Sequence, residues 1–236
     1  MQDLQYNIEI IERENMVETM LKRKNYWSLD IAKFFCAILI ISAHFAAEWG
    51  KFPTIIDYVF SLYVIAVPFF FCCSGFLFFK KLNALPTKKD KNNYLLKYEK
   101  RIWVMYGLWS VVYFISLLYD WIVIDKDFGI YRLLNYLHQV LVYSTYSTIW
   151  FLPALAIGVA LTYFLVNRFT KRQIMIVAVL LYVFGMFGYT YSFIIKDTNI
   201  YNIFYYYNKV FMTTRNGVFN GVPFVFMGYL VSVKND

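Results

Sequence analysis

Residues 31–49 read IAKFFCAILIISAHFAAEW. Apart from Lys33, Ser42, His44 and Glu48 this stretch of nineteen residues is apolar. At about 1.5 Å per residue a helix of that length covers about 28 Å, close to the ~30 Å hydrocarbon thickness of a bilayer. It starts after thirty residues and carries charged groups, so it reads as a membrane-spanning helix and not as a cleaved signal segment. Five further runs have the same character, at about 55–79, 102–124, 149–166, 174–195 and 217–233. The expected fold is an all-α, polytopic transmembrane helix bundle of about six spanning helices.

The composition agrees. Hydrophobic residues make up 60% of the 236, aromatics 22% and charged residues 16%, against about half apolar and about a quarter charged in soluble domains. A disordered chain, a collagen-like fibre, a small disulfide scaffold and an ordinary soluble enzyme are disfavoured. The three cysteines, Cys36, Cys72 and Cys73, lie inside apolar runs without metal-ligand spacing and read as small buried hydrophobes.

The net charge is +8. The bases sit in short segments between apolar runs, where they suit lipid headgroups and orientation signals better than nucleic acid. With the N-terminus inside, sixteen Lys and Arg fall on the cytoplasmic side and six outside, namely Lys51, Lys126, Arg132, Lys196, Lys209 and Arg215, while Lys33 lies within a span. That asymmetry predicts N-in/C-in topology in the plasma (cytoplasmic) membrane. Residues 1–25 read as a cytoplasmic N-terminal extension, with Met20 as an alternative start, and residues 26–233 as one transmembrane domain. Residues 127–143 carry Ile130, Leu133, Leu134, Leu137 and Leu141 at helical spacing, which predicts an amphipathic helix on the outer surface. No internal repeat is visible, and ionisable residues other than Tyr concentrate in the first three spans, an asymmetry that weighs against an inverted-repeat transporter.

Charged groups inside a span are costly and rare, so each is a functional hypothesis. Lys33 and His44 are eleven residues apart, which is about 20° beyond three turns and about 16 Å along the axis, so they share one helix face. Glu48 follows one turn later. A neutral buried His is a general base near neutral pH. A carboxylate beside it orients the ring, and a deeper cation binds phosphate. The separation suits an extended pantetheine arm between phosphates at Lys33 and a thioester at His44. Plainer readings stand beside this: a snorkelling lysine, a hydrogen-bonded core histidine and a solvated rim glutamate.

YWSLDIAKFFCAILIISAHF (26–45) resembles the first helix of the acyltransferase 3 family, membrane-integral enzymes that O-acylate surface polysaccharides and related molecules. His44 matches the family His, and Lys33 stands where the family most often has Arg, which keeps the charge and loses the bidentate fork. VPFFFCCSGFLFFKKL (67–82) is similar to the second helix. YLLKYEKRIWVMYGLWSVVY (94–113) is similar to the basic entry of the third, where Arg101 matches the second of two family arginines and Tyr98 occupies the first position. IWFLPAL (149–155) and TTRNGVFNGVPFVFMGYLVS (213–232) resemble later segments. Members usually carry more core helices than the six read here, so a truncated product, gene fragment or reduced variant is expected.

The resemblance implies transfer of an acyl group, acetyl above all, from acyl-CoA to a hydroxyl of a cell-surface carbohydrate or lipid-linked precursor. His44 and Glu48 would be catalytic, Lys33, Lys100 and Arg101 would hold the CoA, and Trp150 and Arg215 would meet the acceptor. Acyl-CoA is a co-substrate; no permanently bound cofactor, no metal site and no nucleic-acid partner are expected, and membrane lipids surround the bundle. Each secondary candidate has a plain alternative: Trp150 as an interfacial anchor, Arg215 as an interface cap, Lys97, Lys100 and Arg101 as orientation signals, Ser74 and Gly75 as close-packing residues, His138 as a surface residue. Pro68, Pro153 and Pro223 are expected to kink their spans. The rival functions are a small membrane transporter or channel using the polar face of the first helix, and a non-catalytic remnant.

Overall fold

The structure, a computed structural model, describes residues 26–49, 62–146 and 148–234, with side chains of 45–49 excluded. Among the described residues every regular element is helical: α1 (Trp27–Trp49), α2 (Tyr63–Asn83), α3 (Lys88–Tyr119), α4 (Ile130–Val142), α5 (Phe151–Val166), α6 (Lys171–Gly188), α7 (Ser192–Ile195), α8 (Ile200–Phe211) and α9 (Val222–Lys234). Two π-helical turns, Asp120–Ile124 and Gly217–Gly221, extend α3 and precede α9. Five helical stretches are long and apolar enough to cross a membrane, and α5 is a sixth, shorter apolar helix of 16 residues.

Large apolar side chains cover the outside: Phe34, Ile41, Leu108, Val111 and Ile115 are all exposed. Water would not tolerate such a surface, but a lipid phase does. The chain is an integral membrane protein. With lipid outside, apolar burial alone cannot hold helices together, and close van der Waals fit must. α2 and α9 supply that fit. A Cβ added at Gly75 would collide with the Val225 carbonyl oxygen, and one at Gly228 with the Cys72 carbonyl oxygen. Phe71, Phe78, Phe79 and Val225 fill the space around this contact with at most 1% exposure.

Matching positions fix the directions. Gly75 meets Val225 and Phe79 meets Tyr229, so α2 and α9 run parallel. Gly185 meets Phe219 while Ala178 packs with Phe226, so α6 runs antiparallel to them. Gly158 of α5 lies against Gly221. The basic segments 80–101 and 168–172 and Lys234 therefore gather at one end of the bundle. α1 leans on α2, where Tyr26 and Phe76 meet edge to face at 5.3 Å.

Two boundaries and one helix differ from the sequence expectation. α3 begins at Lys88, well before the expected 102, because Thr87 caps it by accepting from Asp90 N–H at 3.1 Å. The fifth span ends at Gly188 instead of 195, because Gly188 is pressed against Thr214 and Phe204 and leaves no room for the chain to continue in line. α8 was not expected at all. Of the three prolines expected to kink, Pro68 lies deep within a helix, whereas Pro153 sits in the first turn of α5, where its missing N–H costs no hydrogen bond. Pro223 cannot donate to the Phe219 carbonyl, which fits the wider π turn immediately before it.

The expected amphipathic segment is helical, as α4. A buried hydrogen-bond set ties it to α3: Tyr106 donates to the Val140 carbonyl (2.9 Å), Tyr136 donates to the Ser110 carbonyl (3.1 Å), and Ser110 and Thr145 share a bond of 2.5 Å. Ile130, Leu134, Leu137 and Leu141 remain exposed beside this anchored face, and His138 is exposed as expected.

The glycine contact has a direct test. Gly75→Ala is expected to cost about 1–3 kcal/mol, the usual range for overpacking, and to lower the thermal midpoint in detergent. Gly107→Ala has nothing within 4 Å of the added Cβ and is expected to hold or raise the midpoint, since Ala is favoured over Gly in a helix by about 1 kcal/mol. Equal midpoints for the two variants would remove the packing argument.

Candidate functional site

Groups with chemical potential occupy both ends of the bundle. On α1, Lys33 Nζ donates to Asp30 Oδ1 at 2.8 Å, one turn earlier on the same helix. Both side chains are partly open, 29% and 64% exposed, so the pair is weakly worth its geometry and is exchangeable. His44 lies further along α1 and is exposed. Glu48 lies on the last turn of α1, and its side chain is outside the described residues. Nothing bonds His44 to Lys33, which fits their separation along the axis.

The N-terminal half of α3 carries the basic pair. Lys100 is exposed, and the Arg101 guanidinium lies 5.5 Å from the centre of the Tyr98 ring. Tyr98 packs on Phe78 (4.9 Å) and its hydroxyl neighbours Ser74. Between them is a residue the sequence reading passed over. Glu99 accepts from Trp103 Nε1 at 3.2 Å, while its Oε1 is buried without a partner. The i,i+4 spacing of Glu99 and Trp103 was visible in KYEKRIW, but that the carboxylate is covered was not.

The opposite end brings two expected residues into contact. The Arg215 guanidinium lies 4.8 Å from the Trp150 ring centre and 5.1 Å from that of Tyr189. Its Nη2 donates to the Tyr143 hydroxyl at 2.7 Å. Trp150 is 8% exposed and stands against Phe71 of the core, so its ring is held inside the bundle.

The segment 213–220 holds Arg215 in place. Met212 ends α8 at φ 60°, a left-handed conformation that turns the chain sharply. Arg215 N–H donates to Thr213 Oγ1 (3.0 Å), and Thr214, fully buried, donates through Oγ1 to the Gly185 carbonyl (2.7 Å). Asn216 Oδ1 accepts from the N–H groups of Val218 and Phe219 and so caps the π turn, while its Nδ2 donates to the Tyr207 hydroxyl at 2.9 Å. Burial pushes the Tyr207 hydroxyl above its ordinary pKa, partly offset by the bond to Asn216.

A match to the family described as "Acyltransferase domain" covers residues 26–236. The chain belongs to the acyltransferase 3 family. A protein named amino-acid racemase from Enterococcus faecalis is 30% identical over 223 residues, covering 92% of this chain and 29% of the relative. One named serine/alanine racemase, from Enterococcus gallinarum, is 26% identical over 217 residues, covering 88% of this chain and 29% of its own length. The chain thus spans about 29% of the length of these curated relatives. No solved structure matches.

Asn216 carries the loop that presents Arg215. Asn216→Ala removes a cap, a loss of about 0.5–2 kcal/mol, and is expected to lower the thermal midpoint. Asn216→Asp, which keeps the acceptor and loses the Nδ2 donor to the Tyr207 hydroxyl and the Thr213 carbonyl, is expected to fall between it and wild type in the same melting assay.

Proposed function

We propose that the chain is a plasma-membrane O-acyltransferase that moves an acyl group, acetyl first among them, from acyl-CoA to a hydroxyl of a surface carbohydrate or its lipid-linked precursor. The family match over residues 26–236 carries this reading. His44 accepts the proton of the acceptor hydroxyl as oxygen attacks the thioester carbonyl, and the CoA thiolate leaves. Glu48, one turn on, orients the imidazole. Lys33 receives the donor's phosphates, exchanging its exposed Asp30 partner for a more highly charged one. Lys100 and Arg101 stand at the basic end, where the donor approaches. The N-in/C-in topology puts that end in the cytoplasm and Arg215 outside.

A second reading is favoured by the names of the relatives. In it the chain is the membrane part of a protein that acts on amino acids, and the bundle passes or presents a free amino acid. It requires no CoA.

Membranes bearing the correctly inserted protein, incubated with radiolabelled acetyl-CoA, are expected to transfer label to glycan. His44→Ala is expected to reduce transfer by about 10²–10⁴-fold, the usual weight of a general base. Lys33→Ala is expected to raise the KM for acetyl-CoA more than it lowers kcat. Unchanged transfer by His44→Ala would overturn the reading. CoA-independent uptake of labelled serine or alanine into liposomes containing the protein would establish the second one instead.

A further inference from the structure

Arg132 and Arg215 are treated very differently. Arg132 is satisfied: its Nη1 donates to Asp125 at 2.6 Å and its Nη2 reaches Asp127 at 3.1 Å. Among the described residues Arg215 has no acidic partner. Of its five side-chain N–H groups one is used, on Tyr143, and Nε is buried without any partner. A buried, unmatched donor on a charged group is costly.

The surroundings are built all the same. Trp150 and Tyr189 flank the guanidinium with their rings, at distances that suit cation–π attraction. Two buried threonines, Thr213 and Thr214, pin the backbone immediately before it. Rings that hold a guanidinium restrict its motion but supply no counter-charge. What they leave for a ligand is the N–H edge, the part of the group that matches the two oxygens of a carboxylate or phosphate. The residues converge from α4's end, the start of α5, the end of α6 and the segment before α9, far from the basic end where Lys100 and Arg101 lie.

We infer that Arg215 anchors an oxyanion site at the end of the bundle opposite the basic segments, taking the carboxylate or phosphate of an acidic acceptor between Trp150, Tyr189 and Tyr143. Anion binding stands on this geometry alone; calling the anion part of an acyl acceptor rests on the acyltransferase reading. Acceptance of the ligand completes the guanidinium's hydrogen bonds and neutralises a charge that has no acidic partner among the described residues.

The test measures binding without acyl-CoA, so that it can succeed or fail independently of catalysis. The purified full chain in neutral detergent is titrated with D-glucuronate, D-glucose 6-phosphate and D-glucose, following tryptophan emission, because Trp150 touches the proposed anion-binding group. Saturable change with glucuronate, with glucose 6-phosphate or with both, and none with glucose, is expected; which acid is preferred assigns a carboxylate or a phosphate source. Arg215→Gln is expected to weaken the response at least tenfold. Arg215→Lys, which keeps the charge and loses the planar fork, is expected to retain part of it and to be more easily weakened by added NaCl. Thermal midpoints within a few degrees of wild type show that the variants are folded; should Arg215→Gln unfold, Arg215→Lys carries the comparison. Equal responses to glucose and its acidic analogues, or wild-type affinity in a folded Arg215 variant, would overturn the inference.

Discussion

The approach of α2 to α9 through Gly75 and Gly228 is the constraint on which the rest depends. In lipid, apolar side chains gain little by turning inward, so helices adhere where their backbones come close enough for dense contact. Here the approach is so close that a methyl group on either glycine meets a carbonyl oxygen of the facing helix. Once α2 and α9 are locked, Gly158 and Gly221 bring in α5, and Gly185 against Phe219 brings in α6. The position of Arg215 follows, because it lies on the segment that enters α9.

The functional groups divide unequally over this frame. Arg215 and Trp150 stand on the tightly packed part, with their backbones fixed by buried threonines and aromatic core contacts. Lys33 and His44 stand on α1, which leans on α2 and exposes most of its apolar surface. The donor-side chemistry proposed here therefore belongs to a helix with an open flank, while the acceptor-side anchor belongs to the rigid core. A site of this kind binds one partner on fixed groups and the other on groups whose surroundings depend on what else covers α1.

Much of the fold was legible because the signals were local. The apolar runs, the spacing of Ile130, Leu133, Leu134 and Leu137, and the first-helix residues Lys33 and His44 are properties of short segments. Reading failed where another segment intervened. The fifth span looked continuous to Ile195, but Thr214 and Phe204 crowd Gly188. α8 is short and aromatic, with Tyr205, Tyr206 and Tyr207 in succession, and neither a strong apolar run nor a side-chain cap announced it. Asp30 lies just before the apolar run that begins at Ile31, so the run itself does not announce its ion pair with Lys33. The Glu99 carboxylate gave no sign that one of its oxygens is covered.

By itself the sequence determined that this protein is a helical membrane bundle of the acyltransferase 3 family with its bases gathered on alternate connections, since run length, periodicity and charge order survive without knowledge of any neighbour. Only the tertiary structure decided that Trp150, Tyr189 and Arg215 face one another, that Arg132 pairs with carboxylates while Arg215 meets none among the described residues, and that close contacts through glycine set the helix order. Those facts depend on which atoms from distant segments reach the same few ångströms, and covalent order alone does not specify that distance.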